Sequence, residues 1–378
     1  MPAKNTLKEN ELTQQAAYLR GQHKMDQNAI SKLLGISQPH VSRLLKRAGE
    51  KGWLYTEQRF IDKGISAKEL AQIKRLLIPG SLTEKLNTLA QNSGVATPNI
   101  RVFDSGAKAF TPEILQRRRI QLGRVAAGRL DELLSTSKIV GVTWGKMVNA
   151  IIEGLFNLNL KSTGKEPTRF VPVCAELTSH TARDYSSTRL AERMDEIVND
   201  SSNYHLSLRG VPAYVPLKFE ATKEQAIWEY VSETASHKLI FSGPHALTSQ
   251  MDTILTSVGS SENPVGGALD ELAKAGGVTK NTLQKLIVGD IGGILIPHPN
   301  ISHKERLRIG ALNKMWTGMT LDQLHNIASR FVSDNAGSGS IVVALGSERA
   351  LIVHEIIRLG LVNELIIDED LANALETM

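Results

Sequence analysis

The sequence predicts a small all-α domain followed by a doubly wound, mostly parallel α/β domain. Two patterns support this prediction. Residues 9–55 show helical periodicity with short breaks, and from residue 100 onward short runs rich in Val and Ile alternate with longer helical patterns. The length of 378 residues is enough for two or three domains at roughly 100–200 residues per domain. With 41% apolar and 22% charged residues, the composition excludes a wholly disordered chain.

The net charge of +5 is confined to the N-terminal part of the chain. Residues 1–63 hold 11 basic and 6 acidic side chains, a surplus of +5, whereas the remainder holds 33 of each sign. Charge concentrated in this way indicates a local contact with a polyanion rather than a general effect on solubility.

Composition also limits the compartment and the chemistry. The single cysteine, Cys174, excludes an intrachain disulfide and a cysteine-based metal site within one chain, which fits a reducing compartment. The N-terminus lacks the apolar region of a signal peptide, and no apolar run approaches the ~20 residues of a membrane helix. The histidines show no metal-ligand spacing. We therefore expect a cytoplasmic protein with no cofactor, no metal site and no membrane contact.

The strongest motif is NAISKLLGISQPHVSRLLKRAGEKGWL at residues 28–54. One helix is expected to end at Leu34 because Gly35 suits a left-handed turn, and Ser37 can cap a second helix with Pro39 in its first turn. This pattern predicts a helix-turn-helix whose apolar positions close a three-helix core: Leu12, Ala16, Leu19, Ile30, Leu34, Ile36, Val41 and Leu44.

The polar face of the second helix suits double-stranded DNA. Its residues are Gln38, His40, Ser42, Arg43, Lys46 and Arg47. Gln38 can pair with adenine and Arg43 with guanine in the major groove, while Lys46 and Arg47 suit phosphates. The alternative is an ordinary helical hairpin with a basic solvated face, but the confined charge favours DNA. Residues 52–55 allow a short strand or wing, with core packing of Trp53 as the alternative.

The rest of the chain divides by texture. A helical stretch Ser66–Leu77 is expected to stop at Pro79-Gly80, and a further helix to begin at Ser81 with Glu84 as a capping-box partner. We place the helix-turn-helix domain at 1–63, a connector that starts the second domain at 64–99, and the second domain at 100–378. The predicted strands are Ile100–Phe103, Lys138–Val142, Phe170–Cys174, Lys238–Phe241, Thr253–Val258, Ile294–Ile296, Ile341–Ala344 and Glu364–Ile367. The predicted helices are Pro112–Leu134, Lys146–Leu155, Ser187–Val198, Lys223–Ser232, Leu321–Ser329 and Glu348–Leu359.

Two glycine-containing loops are candidate ligand loops. Ile139–Lys146 (IVGVTWGK) and Ile341–Arg349 (IVVALGSER) each run from a strand through a glycine turn into a helix. Such turns offer main-chain amides and a helix N-terminus to an anion. Either loop alone is weak support, because many strand–helix junctions need glycine for geometry alone.

With these motifs in view, the chain resembles the SorC family of bacterial sugar-responsive transcription regulators. The resemblance spans nearly the whole length and rests on the helix-turn-helix, GVTWGK at 141–146, GDIGG at 289–293 and the tail at 340–375. It implies a winged helix-turn-helix and a Rossmann-like sensor domain similar to ribose-phosphate isomerase and glucosamine-phosphate deaminase. It also implies a phosphorylated sugar effector, operator DNA of a carbohydrate-catabolism operon and a homo-oligomer, dimer or tetramer.

The resemblance assigns the effector contacts. They are Gly141, Thr143, Gly145, Lys146, Asp290, Gly346, Ser347 and Arg349. Departures from the family pattern are Met147 for threonine, Ser347 for glycine, Arg349 for lysine, and Ser257-Val258-Gly259 for a GIG sequence, so the resemblance does not identify the effector. Arg349 could grip a phosphate through two parallel hydrogen bonds, whereas lysine is a point charge.

Several of these residues also have plainer interpretations. Asp290 can be a turn residue beside Gly289. We expect Asp368–Asp370 to form a solvated cap rather than a carboxylate dyad, and Arg117–Arg119 to form the exposed face of an amphipathic helix rather than a DNA contact. The alternative function is a sugar-phosphate isomerase or deaminase with an appended DNA-binding domain, which needs a poised carboxylate or histidine. Asp290 is its one candidate, and nothing in the sequence marks that carboxyl as desolvated. We therefore expect a regulator that is not an enzyme and assign no catalytic residue.

Overall fold

The computed structural model describes residues 3–21, 23, 25–50, 80–91, 93–96, 98–103, 111–134, 136–158, 167–174, 185–199, 221–261, 273, 277–334 and 337–378. The chain forms two compact units. The first consists of Met1–Gln72 and Gly106–Arg118, and the second of Ile73–Ser105 and Arg119–Met378. The predicted helix Ser66–Leu77 and the wing at 52–55 lie outside the described residues.

The first unit contains three helices, α1 (Ala3–Gly21), α2 (Gln27–Leu34) and α3 (Gln38–Glu50). The Asp26 carboxylate caps α2 by accepting a hydrogen bond from the Ala29 amide at 2.8 Å. Gly35 ends the helix with φ of +64°, as the sequence predicts. Ala16, Ile30, Val41 and Leu44 form the buried centre of the three-helix core.

The second unit is built on one sheet. Its strands are β1 (Asn99–Phe103), β2 (Ile139–Val142), β3 (Arg169–Pro172), β4 (Thr253–Ser260), β5 (Ile287–Ile291), β6 (Ile294–Pro297), β7 (Gly339–Ala344) and β8 (Glu364–Asp368). Six strands are parallel in the order β1-β8-β7-β4-β2-β3. The β5–β6 hairpin pairs antiparallel with the end of β4. Apart from the edge strand β1, the strands are almost wholly buried, which explains their Val- and Ile-rich sequences.

Helices surround this sheet. They are α4 (Gly80–Ala90), α5 (Pro112–Leu134), α6 (Lys146–Leu158), α7 (Ser187–Val198), α8 (Ala221–Glu233), α9 (Lys280–Leu286), α10 (His303–Asn313), α11 (Leu321–Asp334), α12 (Ala350–Arg358) and α13 (Glu369–Thr377). Shorter helical segments are Ala235–His237, Leu247–Gln250, the π-helical turn Lys238–Ser242 and the 3₁₀ turn Ser347–Arg349. Helix α5 enters the second unit at Arg119.

Two local predictions were wrong. Lys238–Phe241 is a π-helical turn and not a strand, because the Thr234 hydroxyl caps a helical turn just before it and the Gly243 amide donates to the Lys238 carbonyl at 2.7 Å. Helix α4 begins at Gly80, so Ser81 lies inside its first turn, and its hydroxyl bonds the Glu376 carboxylate.

Candidate functional site

The sheet reverses its strand order between β2 and β4. The chain leaves β2 for β3 on one side and later adds β4, β7 and β8 on the other side. In open α/β sheets, loops at such a switch point diverge and leave a ligand crevice at the carboxyl ends of the strands. The first predicted loop, Thr143–Gly145, follows β2 at this point.

The first loop is fixed by main-chain and hydroxyl contacts. The Thr143 amide donates to the Leu255 carbonyl at 3.1 Å, and its hydroxyl donates to Thr256 Oγ1 at 3.1 Å. Gly145 has φ of +121° and donates its amide to the Tyr185 carbonyl at 3.0 Å. The exposed Lys146 is the first residue of α6. The loop therefore presents a lysine and the first-turn amides of α6 at the end of β2.

Gly141 lies one step earlier, inside β2. A Cβ at this position would lie 2.5 Å from Met251 Sδ and 3.0 Å from Val173 Cγ1. The structure therefore places Gly141 in the packed interior of the sheet and separates it from the loop residues Thr143, Gly145 and Lys146.

Asp290 approaches this loop on the β5–β6 hairpin. Its Oδ2 accepts a hydrogen bond from the Gly293 amide at 3.1 Å, so the carboxylate does stabilise its own turn. A Cβ at Gly292 in that turn would lie 3.0 Å from Thr143 Cγ2, which brings the hairpin against the first loop. Burial raises the pKa of Asp290 to about 6, and the Gly293 bond and the charge of Arg349 only partly oppose this effect. The structure thus places this carboxyl in a half-buried position, which the sequence did not indicate.

The second loop follows β7 and is fixed by a buried acid. Gly346 has φ of +96° and donates its amide to Asp368 Oδ1 at 2.9 Å. The same oxygen caps α13 through the Leu371 amide at 3.3 Å. Asp368 is fully buried, so the expectation of a solvated cap was wrong for this residue, because its carboxylate ties the loop to the next helix.

Arg349 spans the second loop and the end of β4. Its Nε donates to the Val258 carbonyl at 3.1 Å, and its Nη1 bonds the Leu345 carbonyl and the Glu348 carboxylate. Three contacts hold the guanidinium in one orientation. Its positive charge lowers the pKa of Asp290 and so partly offsets the effect of burial. Ser347 beside it is exposed.

Arg119 on α5 joins this group, although the sequence places it on an exposed face. The residue is half-buried. Burial and the charge of Arg349 lower its pKa, and Tyr185 opposes this effect only in part. Arg118 is also buried, and Arg117 is half-buried. The expectation of an exposed arginine face was therefore wrong, and for Arg119 the reason is the close packing of α5 on α6, where a Cβ at Gly123 would lie 2.4 Å from the Ala150 carbonyl oxygen.

The predicted DNA-contacting residues lie along α3 in the first unit. Gln38, Ser42, Arg43 and Lys46 are exposed, and His40 and Arg47 are half-exposed. The Gln38 amide nitrogen bonds Gln27 Oε1, and Arg47 forms an ion pair with Glu9 at 2.9 Å. Arg43 and Lys46 are thus the most accessible cations of this face.

Among the described residues, no group of three or more His, Cys, Asp or Glu side chains is placed to hold a metal ion. In the same part of the chain, no helix is long and apolar enough to cross a membrane.

Comparisons with known proteins agree with this architecture. Residues 111–375 match the family described as "Putative sugar-binding domain". The full-length sorbitol operon regulator SorC from Klebsiella pneumoniae is 19% identical, with a TM-score of 0.53 over 97% of this chain and 98% of that chain. A transcriptional regulator from Streptococcus pneumoniae TIGR4 is 16% identical, with a TM-score of 0.53 over 82% and 98%. A DeoR family transcriptional regulator from Listeria monocytogenes is 16% identical, with a TM-score of 0.50 over 78% and 100%.

At these identities, the likeness shows the fold. It confirms the predicted α/β class, with a helical N-terminal region before a sheet domain. A comparison with proteins of curated function finds no significant match.

Proposed function

Through residues 111–375 this chain belongs to the family described as "Putative sugar-binding domain", and we propose that it is a transcriptional regulator of the SorC type whose operator binding is modulated by a phosphorylated sugar. In this proposal residues 1–63 bind double-stranded operator DNA, 64–99 connect, and 100–378 bind the effector and form a dimer or tetramer. The protein acts in the cytoplasm and controls a carbohydrate-catabolism operon.

The observation that carries the proposal is the convergence of three chemically different groups at the switch point of the sheet. The first loop offers Lys146 and the first-turn amides of α6, which suit a phosphate. The hairpin offers the Asp290 carboxylate, an acceptor for sugar hydroxyls. The second loop offers Arg349, whose Nε and Nη1 hold the loop and whose Nη2 we assign to the ligand.

The remaining predicted contacts have supporting roles in this proposal. Thr143 and Gly145 hold the first loop in place through Thr256 and Tyr185. Gly346 sets the second loop through Asp368, and exposed Ser347 can donate to the ligand. Gly141 contributes by letting β2 pack closely on Met251.

DNA recognition is proposed for α3. Arg43 reads a guanine, Lys46 and Arg47 contact phosphates, and His40 and Ser42 border the groove. Gln38 reads an adenine after exchanging its bond to Gln27 for the base. Effector binding favours one of two subunit arrangements and so changes operator affinity, a coupling of typically about 1–3 kcal/mol.

Two experiments on the purified full chain test this function. A thermal-shift screen of phosphorylated sugars should find a compound that raises the melting temperature, because a ligand bound only by the folded state stabilises it. Footprinting should show a preference for the protein's own promoter region over random DNA. No preference in footprinting would refute the regulator.

The Asp290 carboxyl favours a second candidate, a sugar-phosphate isomerase or deaminase. A carboxyl with a pKa of about 6 is suited to general acid–base catalysis near neutral pH. Turnover of ribose 5-phosphate or glucosamine 6-phosphate by the purified protein, abolished by Asp290→Asn, would establish the enzyme. If the purified protein binds one of these compounds without turning it over, the enzyme is refuted and the regulator is supported.

A further inference from the structure

Helices α5 and α6 pack in parallel and unusually closely. A Cβ at Gly123 would lie 2.4 Å from the Ala150 carbonyl oxygen, and a Cβ at Gly154 would lie 2.8 Å from the Ala127 Cβ. Both pairs are separated by 27 residues and both ascend along the chain, so the two helices run side by side in a fixed register. Small residues at i and i+4 on each helix make this approach sterically possible.

The same register brings Arg119 beside Lys146. Arg119 lies four positions before Gly123, and Lys146 lies four positions before Ala150, which is about 6 Å along each helix axis. Positions four apart share one helix face, so Arg119 and Lys146 lie on the two facing surfaces. Lys146 is the first residue of α6 at the end of β2. Arg119 therefore stands at the level of the first loop.

Two further neighbours place Arg119 in the site. The phenol of Tyr185 interacts electrostatically with Arg119. The main-chain oxygen of Tyr185 accepts a hydrogen bond from the Gly145 amide in the first loop. Arg349, which also interacts electrostatically with Arg119, is fixed to the Val258 carbonyl at the end of β4. Half-buried like charges repel each other, and an anion between them removes that repulsion.

We propose that Arg119 is a ligand-contacting residue which, with Lys146, selects phosphorylated over unphosphorylated sugars. The inference rests on the proposed sugar-phosphate function and extends it to a helix that supplies none of the predicted contacts. The phosphate lies between α5 and the start of α6, and the hydroxyl groups of the sugar face Asp290.

Calorimetric titration of the full chain with inorganic phosphate, ribose 5-phosphate and unphosphorylated ribose tests this inference. The variants are Arg119→Gln, Arg119→Lys and, as a control, Arg308→Gln. Arg308 is an exposed arginine on α10, a helix that contacts β6 and α9, and its replacement removes the same charge. Arg119→Gln should weaken binding of both phosphorylated probes about tenfold or more, Arg119→Lys should weaken it less, and Arg308→Gln should leave it unchanged.

The results of this experiment distinguish a wrong role of Arg119 from a wrong choice of effector. If the wild type binds a phosphorylated probe and Arg119→Gln binds it equally well, the role of Arg119 is refuted and the regulator stands. If Arg308→Gln weakens binding as much as Arg119→Gln, general charge explains the effect and the role is again refuted. If the wild type binds neither phosphorylated probe but binds ribose, the phosphorylated effector itself is wrong.

Discussion

The Arg349 guanidinium donates from Nε to the main-chain oxygen of Val258 at 3.1 Å, and this bond joins the loop after β7 to the end of β4. The resemblance to the SorC family leads us to expect lysine at the position of Arg349, and an ammonium group cannot reproduce the planar donor geometry of a guanidinium. The substitution therefore changes how this loop is held as well as which charge it presents.

Arg349→Lys should weaken binding of a phosphorylated sugar by about tenfold, or about 1.4 kcal/mol, because a flexible ammonium replaces an oriented guanidinium. Titration calorimetry on the full chain measures this change. Arg349→Gln, which removes the charge as well, should lose more affinity than Arg349→Lys. Equal affinity of all three proteins would show that Arg349 only holds the loop.

Replacement of Asp290 should make stability less dependent on pH. The pKa of Asp290 is raised from 3.8 to about 6 in the folded protein, so the folded state binds this proton more tightly than the unfolded chain does. Below pH ~4 the residue is protonated in both states. Between about pH 4 and pH 6 the unfolded chain loses this proton while the half-buried carboxyl of the folded protein keeps it, so the free energy of unfolding falls by about 1–3 kcal/mol and levels off above that range.

Asp290→Asn keeps an oxygen acceptor for Gly293 and removes the titration. Its stability relative to the wild type should increase between about pH 4 and pH 6.5 and stay level above that range. Urea unfolding across this pH range measures the difference. A difference that does not vary with pH would contradict the assignment of a raised pKa to this carboxyl.

Two glycines of α5 offer a matched test of the helix packing. Gly123→Ala places a Cβ 2.4 Å from the Ala150 carbonyl oxygen, so it should destabilise the fold by about 1–3 kcal/mol. Gly128→Ala meets nothing within 4 Å and should be neutral or stabilise the helix by up to about 1 kcal/mol. Chemical denaturation distinguishes the two, and an equal effect of both substitutions would refute the close approach of α5 to α6.

Three substitutions on α3 separate base reading from phosphate contact. Arg43→Ala should cost about 1–3 kcal/mol on promoter DNA and little on random DNA, whereas Lys46→Ala should weaken both and reduce the salt slope by about 0.9. Arg47→Ala should cost less than Lys46→Ala, because Arg47 already pairs with Glu9. Fluorescence anisotropy at several salt concentrations measures these effects. An equal loss on both DNAs from Arg43→Ala would remove its role in specificity.

Local chemistry explains why parts of the fold could be predicted. Gly35 has no Cβ and takes the left-handed turn that ends α2, and β7 and β8 contain the short apolar runs Ile341–Ala344 and Leu365–Ile367. Lys238–Phe241 has the same apolar character, yet it is helical. The segment is too short to show a helical or strand periodicity, and the Thr234 cap just before it starts a helical turn. Short apolar runs do not distinguish the two states.

The misassigned site residues depend on tertiary contacts. Arg119 looks like a surface arginine until the packing of Gly123 on Ala150 brings α5 beside α6. Asp368 has the sequence context of a solvated acid near the C-terminus, yet its carboxylate accepts a hydrogen bond from the Gly346 amide in the second loop. Partners distant in sequence create both roles, and spacing along one chain does not encode them.

We propose that one ligand, bound at the switch point of the sheet, changes the affinity of α3 for DNA. The most direct test of this proposal is the dissociation constant for promoter DNA, measured with and without a saturating sugar phosphate found in the thermal-shift screen. We predict a change of about 5- to 150-fold in either direction, with Arg349→Gln binding DNA normally and losing the response. An unchanged constant for the ligand-bound wild-type protein would contradict the account.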